Sequence, residues 1–229
     1  MTNRFTGQLA LVTAASKGLG KAIAKQLAFE GAQVIIASRN EYNLNQTCIE
    51  LDQVGGCKPV AINADLSNPE SVNTMYSKIK KQFGKLDIVV IITGDPPTGS
   101  FSQLDNDMWE RAFYHQLLST VNLARGAYPL FKEAGGGRLL TVASSSLKAS
   151  IPGFMLSNTI RASVAEFVKS LSVEWAKDGI LVNTIFPSRS ALDRSSSEEF
   201  AKAMMYFISD ENTYMTGSTV TIDGGMVKV

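Results

Sequence analysis

Short apolar runs alternate with longer amphipathic stretches along the whole chain. Strand-like runs lie at Leu9–Val12, Val34–Ala37, Pro59–Ile62, Ile88–Ile92, Leu139–Ala143, Leu181–Ile185 and Thr219–Ile222. Most are near-continuous and rich in Val and Ile, as strands covered on both faces should be. Between them, helical patterning covers Lys17–Glu30, Glu41–Val54, Pro69–Phe83, Asp105–Glu133, Ser157–Asp178 and Glu198–Asp210. Ser67-Asn68-Pro69-Glu70 reads as a helix start, with a capping side chain ahead of a first-turn proline. Gly31 and Gly179 follow helix ends, where a left-handed cap is wanted. Strict alternation predicts one α/β domain over residues 1–229, built on a doubly wound parallel sheet with right-handed crossovers.

The first strand breaks into Thr13-Ala14-Ala15-Ser16-Lys17-Gly18-Leu19-Gly20 before a helix opens on Ala22, Ile23 and Leu27. A strand, a turn of small residues and a helix start together form an anion site. Unpaired N–H groups and the positive end of the helix dipole face whatever phosphate sits there. Gly18 and Gly20 leave room for a pyrophosphate to approach the backbone. A glycine pair alone is a weak signal; its place in the first βα turn strengthens it.

Composition narrows the function classes. Of the 229 residues, 45% are hydrophobic and 19% charged, as in an ordinary globular protein. With 22 basic and 21 acidic residues the net charge is +1, which argues against a nucleic-acid or anionic-membrane partner. No apolar run approaches the roughly 20 residues of a membrane span, and Met1-Thr-Asn-Arg-Phe5 lacks a signal-peptide pattern, so a cytoplasmic location is expected. Cys48 and Cys57 read as small packed thiols, not a disulfide or a metal site, and His115 is the sole histidine.

The second strand ends Ala37-Ser38-Arg39, without the acidic residue that would bind an adenosine ribose diol. Arg39 and Lys17 are instead placed to pair with a 2′-phosphate, which favours NADP(H); the plainer reading makes both solvated cations. Asp65, after the third strand, suits an adenine amino group, or a cap near Asn68.

These residues resemble the short-chain dehydrogenase/reductase family, in a divergent branch similar to 3-oxoacyl-acyl-carrier-protein reductases, and the likeness runs nearly end to end. Thr13, Gly18 and Gly20 match the family's glycine turn, with Ala14 where its first glycine stands. Ile91-Ile92-Thr93-Gly94 occupies the place of Asn-Asn-Ala-Gly, and Asn183 before Pro187 resembles the approach to the nicotinamide. Asp223-Gly224-Gly225 is a further family hallmark, tied to the last strand and subunit packing. The resemblance implies a Rossmann fold, a small carbonyl or alcohol substrate, and a homodimer or homotetramer. It implies that the cofactor rests on Thr13, Ala15, Ser16, Lys17, Gly18, Leu19, Gly20, Ser38, Arg39, Asp65, Leu66, Thr93, Gly94, Arg161 and Pro187. The oligomer reading draws on Trp109, Phe113 and Leu117, and on Phe167, Leu171 and Trp175, which recur at helical spacing; core packing would use the same pattern.

Family members work with Asn, Ser, Tyr and Lys. The resemblance puts these roles on Gln116, Ser144, Ser157 and Arg161, so only the serine keeps its residue type. An aliphatic hydroxyl is a far poorer proton donor than a phenol of pKa roughly 10. Arg161 stays protonated, yet its fork can bind ribose hydroxyls or polarise a carbonyl. One scheme has water relaying the proton while Ser144, Ser157 and Arg161 stabilise the oxyanion. Two other readings stay open: a catalytically degenerate NADP(H)-binding sensor or scaffold, and a structural subunit without nucleotide. His115, one residue off Gln116, is turned by about 100° on a regular helix and is expected to pack or to face an interface. Lys148 is a further cation near Ser144, and Asp95-Pro96-Pro97-Thr98-Gly99 reads as a stiff loop bordering the substrate. Where the family places a helical lid, this chain has only Ser188–Ser197, short for such a lid.

Overall fold

The computed structural model describes residues 3–143, 150–187 and 194–223. Its strands are β1 (Leu9–Thr13), β2 (Gln33–Ser38), β3 (Val60–Asn63), β4 (Ile88–Ile92), β5 (Gly137–Val142), β6 (Ile180–Pro187) and β7 (Thr219–Ile222). Its α-helices are α1 (Gly18–Phe29), α2 (Glu41–Val54), α3 (Pro69–Phe83), α4 (Asn106–Ala112), α5 (Ser119–Glu133), α6 (Met155–Trp175) and α7 (Arg194–Ile208). The strands form one parallel sheet in the order β3-β2-β1-β4-β5-β6-β7. The chain steps outward from β1 to β3, then returns to start again at β4. The carboxyl ends of β1 and β4 therefore flank the switch point, where ligands bind in such sheets.

Period-two alternation splits the strands between two cores. Ala10 and Val12 face the layer holding Ile23 and Leu27 of α1 with Phe200, Met204 and Ile208 of α7. Leu9 and Leu11 face the opposite layer, with Met75 and Ile79 of α3, Phe131 of α5 and Val168 and Trp175 of α6. All five β1 residues are buried, which explains why its sequence is apolar throughout instead of alternating. Trp175 stacks on Tyr128 with ring centroids 4.9 Å apart, while Phe167 and Leu171 pack partly buried against the same layer. Trp109 and Leu117 pack on a small cluster with Leu104, Leu156 and Ile160; Phe113 is exposed. Much of the aromatic spacing on these helices thus serves the core.

Most boundaries fall within a few residues of the sequence reading, but the long helix over Asp105–Glu133 does not run unbroken. Asp105 caps α4, accepting from the Met108 N–H at 2.8 Å. A π-helical turn, Phe113–Leu118, then separates α4 from α5. The Ser119 hydroxyl donates to the His115 carbonyl at 2.6 Å and that of Thr120 to the Gln116 carbonyl at 2.6 Å. These hydroxyls supply donors to carbonyls in the turn where the regular ladder is widened. α7 begins at Arg194, earlier than its apolar pattern indicated, so residues 188–193 alone separate it from β6. Ser188 lies in that stretch, and Ser144, Ser145, Ser146, Lys148, Gly224 and Gly225 also fall outside the described residues.

Among the described residues, no helix is long and apolar enough to cross a membrane, and no three His, Cys, Asp or Glu side chains converge as metal ligands. Cys48 and Cys57 are free, half-buried thiols, and burial together with nearby Asp52 pushes the Cys48 thiol up.

Candidate active site

A cleft of about 560 Å³ opens at the switch point. Ala14, Ser16 and Lys17 of the first turn line one side with Ser38 and Arg39 at the end of β2. Asp65 and Leu66 follow from β3, and Thr93, Gly94 and Asp95 from β4, with His115 and Gln116 across from them.

The first turn is compact because its backbone visits the left-handed region twice, at Ala14 (φ 50°) and at Gly18 (φ 55°). A Cβ on Gly20 would stand 2.7 Å from the Ala14 carbonyl oxygen, so only glycine fits there. Thr13 is fully buried; its hydroxyl donates to the Ile92 carbonyl and accepts from the Ile92 N–H, both at 2.8 Å. Ala15 is likewise buried, and its N–H donates to the Ala37 carbonyl at 3.3 Å. Thr13, Ala15, Leu19 and Gly20 therefore sit beneath the turn and shape it, while Ala14, Ser16 and Lys17 face the cleft. No side chain caps α1, whereas Asn40, Asn68 and Asp105 cap α2, α3 and α4. The uncapped N–H groups at this helix start are left available as donors to an anion.

At the β2 corner, the Ser16 and Ser38 hydroxyls lie 2.9 Å apart, and exposed Lys17 and Arg39 flank them. The Asp65 carboxylate accepts from the Ser67 N–H at 3.0 Å and the Ser67 hydroxyl at 2.7 Å. Burial works against its ionisation, but these hydrogen bonds and the charges of Arg39 and His115 together hold it below the usual carboxylate range. One Asp65 oxygen thus serves the loop into α3, where its carbonyl also accepts from the Asn68 N–H at 3.1 Å.

The opposite end is built on the π-helical turn. Gln116 is 1% exposed; its Nε2 donates to the Gly94 carbonyl at 3.1 Å, and its Oε1 is buried without a partner. Arg161, on α6, donates from Nη1 to the carbonyls of Val142 (3.2 Å) and Ala143 (3.0 Å) and from Nη2 to Asp95 Oδ1 (2.7 Å). Burial pushes the guanidinium below its ordinary range, and Asp95 resists the shift. Ser157, one helical turn earlier on α6, is buried. Gln116, Asp95 and Arg161 thus meet around the loop after β4.

Several expectations need correction here. Asn183 does not reach toward the cleft: its Nδ2 donates to the Met215 carbonyl at 2.8 Å and its Oδ1 accepts from the Ser218 N–H at 3.0 Å, joining β6 to the segment before β7. Pro187 ends β6 half-buried, in register with Ile222. His115 lines the cleft instead of packing away, because a π turn advances side chains by a smaller angle than the regular helix assumed from sequence. Asp95, expected only as part of a stiff loop bordering the substrate, is brought against Arg161 by the fold.

A doubly wound sheet with an uncapped helix start at its switch point defines a nucleotide-binding α/β protein. The short chain dehydrogenase family matches residues 8–199, and the chain belongs to that family. It is 28% identical to dehydrogenase/reductase SDR family member 4 of Caenorhabditis elegans, over 97% of this chain and 96% of that protein. It is also 28% identical to the 3-oxoacyl-[acyl-carrier-protein] reductase FabG of Escherichia coli, over 98% and 99%. Among solved structures, it matches L-sorbose reductase of Gluconobacter frateurii complexed with NADPH and L-sorbose at 26% identity, TM-score 0.93 and full coverage of both chains. A Mycobacterium marinum short-chain type dehydrogenase/reductase matches at 28% identity and TM-score 0.92, covering 100% of this chain and 98% of that one. The likeness supports the Rossmann fold expected for the whole sheet.

Proposed function

We propose that the protein is an NADP(H)-dependent oxidoreductase acting on a carbonyl or alcohol, with a site that departs from its family's Tyr and Lys. The observation that carries the cofactor choice is the β2 corner. Lys17 and Arg39 flank the Ser16–Ser38 hydroxyl pair, and β2 ends without an acidic side chain. Two cations and two hydroxyls suit a 2′-phosphate, where an acidic residue would repel it. The α1 N-terminus would hold the pyrophosphate, and Gly20 lets the turn close tightly against the Ala14 carbonyl beneath it. The buried, unpartnered Gln116 Oε1 offers an acceptor at the far end. When bound, the nicotinamide supplies or takes the hydride; the residues of this chain orient it, exclude water and stabilise charge on the substrate oxygen.

The likeness to a 3-oxoacyl reductase and to a sugar-ketone reductase supports a ketone-bearing substrate. Ser157 and Ser144 are the hydroxyls to which the family resemblance assigns the substrate oxygen. A second reading, an NADP(H)-binding sensor or scaffold, is favoured by one feature: both terminal nitrogens of Arg161 are already committed to protein acceptors. A small-molecule partner and assembly of two or four copies complete the reading, together with a cytoplasmic location.

Titration with NADPH and with NADH, followed by fluorescence of the reduced nicotinamide, tests the cofactor choice. We expect NADPH to bind at least about tenfold more tightly and Arg39→Ala to erase most of that preference. Equal affinities in the unaltered protein would refute it. A ketone panel then separates the enzyme from the sensor: NADPH oxidation with some substrate marks the first, tight binding without turnover the second.

A further inference from the structure

The loop after β4 is tied down at three points. Gln116 holds the Gly94 carbonyl at 3.1 Å, Arg161 holds Asp95 at 2.7 Å, and the Gly99 N–H donates to the Gly153 carbonyl at 2.8 Å. Pro96 and Pro97 stiffen the span between. The Asp95–Arg161 pair is lopsided: the arginine side chain is 7% exposed and the aspartate side chain 79%. Arg161 spends its terminal nitrogens on Val142, Ala143 and Asp95, and its Nε is buried. The cation is therefore walled off, and the carboxylate is what the cleft meets. One carboxylate oxygen is taken by Arg161; the other has no partner among the described residues.

A fixed carboxylate with a free oxygen at the edge of a nucleotide cleft suits hydroxyl donors, above all a vicinal diol; acidic side chains bind ribose diols in this way. A dinucleotide straddling the switch point, with its phosphate-bearing adenosine at Lys17 and Arg39, extends its other half toward β4 and Asp95. We propose that Asp95 accepts hydrogen bonds from the ribose on the nicotinamide side of NADP(H). Arg161 is then a positioning residue that holds the carboxylate without touching the cofactor. This rests on the NADP(H) reading above and moves the ribose contact from Arg161 to Asp95.

The test compares two ligands: NADPH, and adenosine 2′,5′-bisphosphate, which keeps the phosphate-bearing adenosine but lacks the second ribose. Asp95→Asn keeps the shape and an acceptor for Arg161 while removing the charge. It should weaken NADPH about tenfold and leave adenosine 2′,5′-bisphosphate within about twofold, as expected on losing a charge-assisted hydrogen bond. Arg161→Met should give the same selective loss. Retained bisphosphate binding also shows that each variant is folded. An Asp95→Asn variant that weakens both ligands alike, or neither, overturns the assignment, as does selective loss in Arg161→Met alone. Failure of the unaltered protein to bind either ligand would instead bring down the NADP(H) reading and this assignment together.

Discussion

Arg161→Met removes the guanidinium while keeping a long apolar side chain, and its cost follows from the hydrogen bonds that the guanidinium makes. The carbonyls of Val142 and Ala143, on buried residues, would be deprived of donors at 3.2 and 3.0 Å. An orphaned buried acceptor costs about 1–3 kcal/mol, and a strand carbonyl with a second lone pair falls at the low end. The ion pair adds little, because Asp95 is 79% exposed on its side chain and regains water when the arginine goes; such pairs are worth about 0–1 kcal/mol. Against these penalties, methionine relieves a buried charge whose Nε already lacks a partner. The balance is a destabilisation of about 2 kcal/mol, or roughly 4–8 °C in Tm for a chain of this size. Thermal unfolding followed by circular dichroism measures it. An unchanged or raised Tm would refute the reasoning, since the cost of burying the guanidinium would then exceed all that its hydrogen bonds return.

Other outcomes test the rest of the cleft. Ala14→Gly should raise Tm by about 1–4 °C: holding the left-handed region costs an L-residue about 1–2 kcal/mol, which glycine avoids, and glycine's freedom in the unfolded chain cancels only part of this gain. A lower Tm for this variant would show that the Ala14 methyl packs more than it strains. Asp65→Asn should lower Tm at pH 7, with the gap closing on acidification. Because the folded carboxyl titrates below its ordinary value, its stabilisation is present above about pH 3.9 and lost as pH falls through the depressed value. A gap that stayed constant down to about pH 2–3 would remove Asp65's hydrogen bonds to Ser67 as the cause.

The alternation of apolar runs and amphipathic stretches determined the sheet, its parallel sense and the glycine turn, because these follow from periodicities of two and 3.6 residues and from where a side chain fails to fit. The β2 corner was legible for the same local reason: Arg39 ends a strand and Lys17 precedes a helix. The far end of the cleft was not. The π turn that brings His115 to the cleft beside Gln116 depends on how α4 and α5 settle against α6, and helical spacing in sequence carries no trace of it. Asn183 lies on the stretch that resembles the family's approach to the nicotinamide, and only the fold shows that the chain before β7 returns to occupy both ends of its amide. Asp95 and Arg161 lie on separate elements, and neither signals the other in sequence. Only the packing of α6 against the ends of β4 and β5 buried the cation, turned the carboxylate outward and decided which of the two the cleft presents.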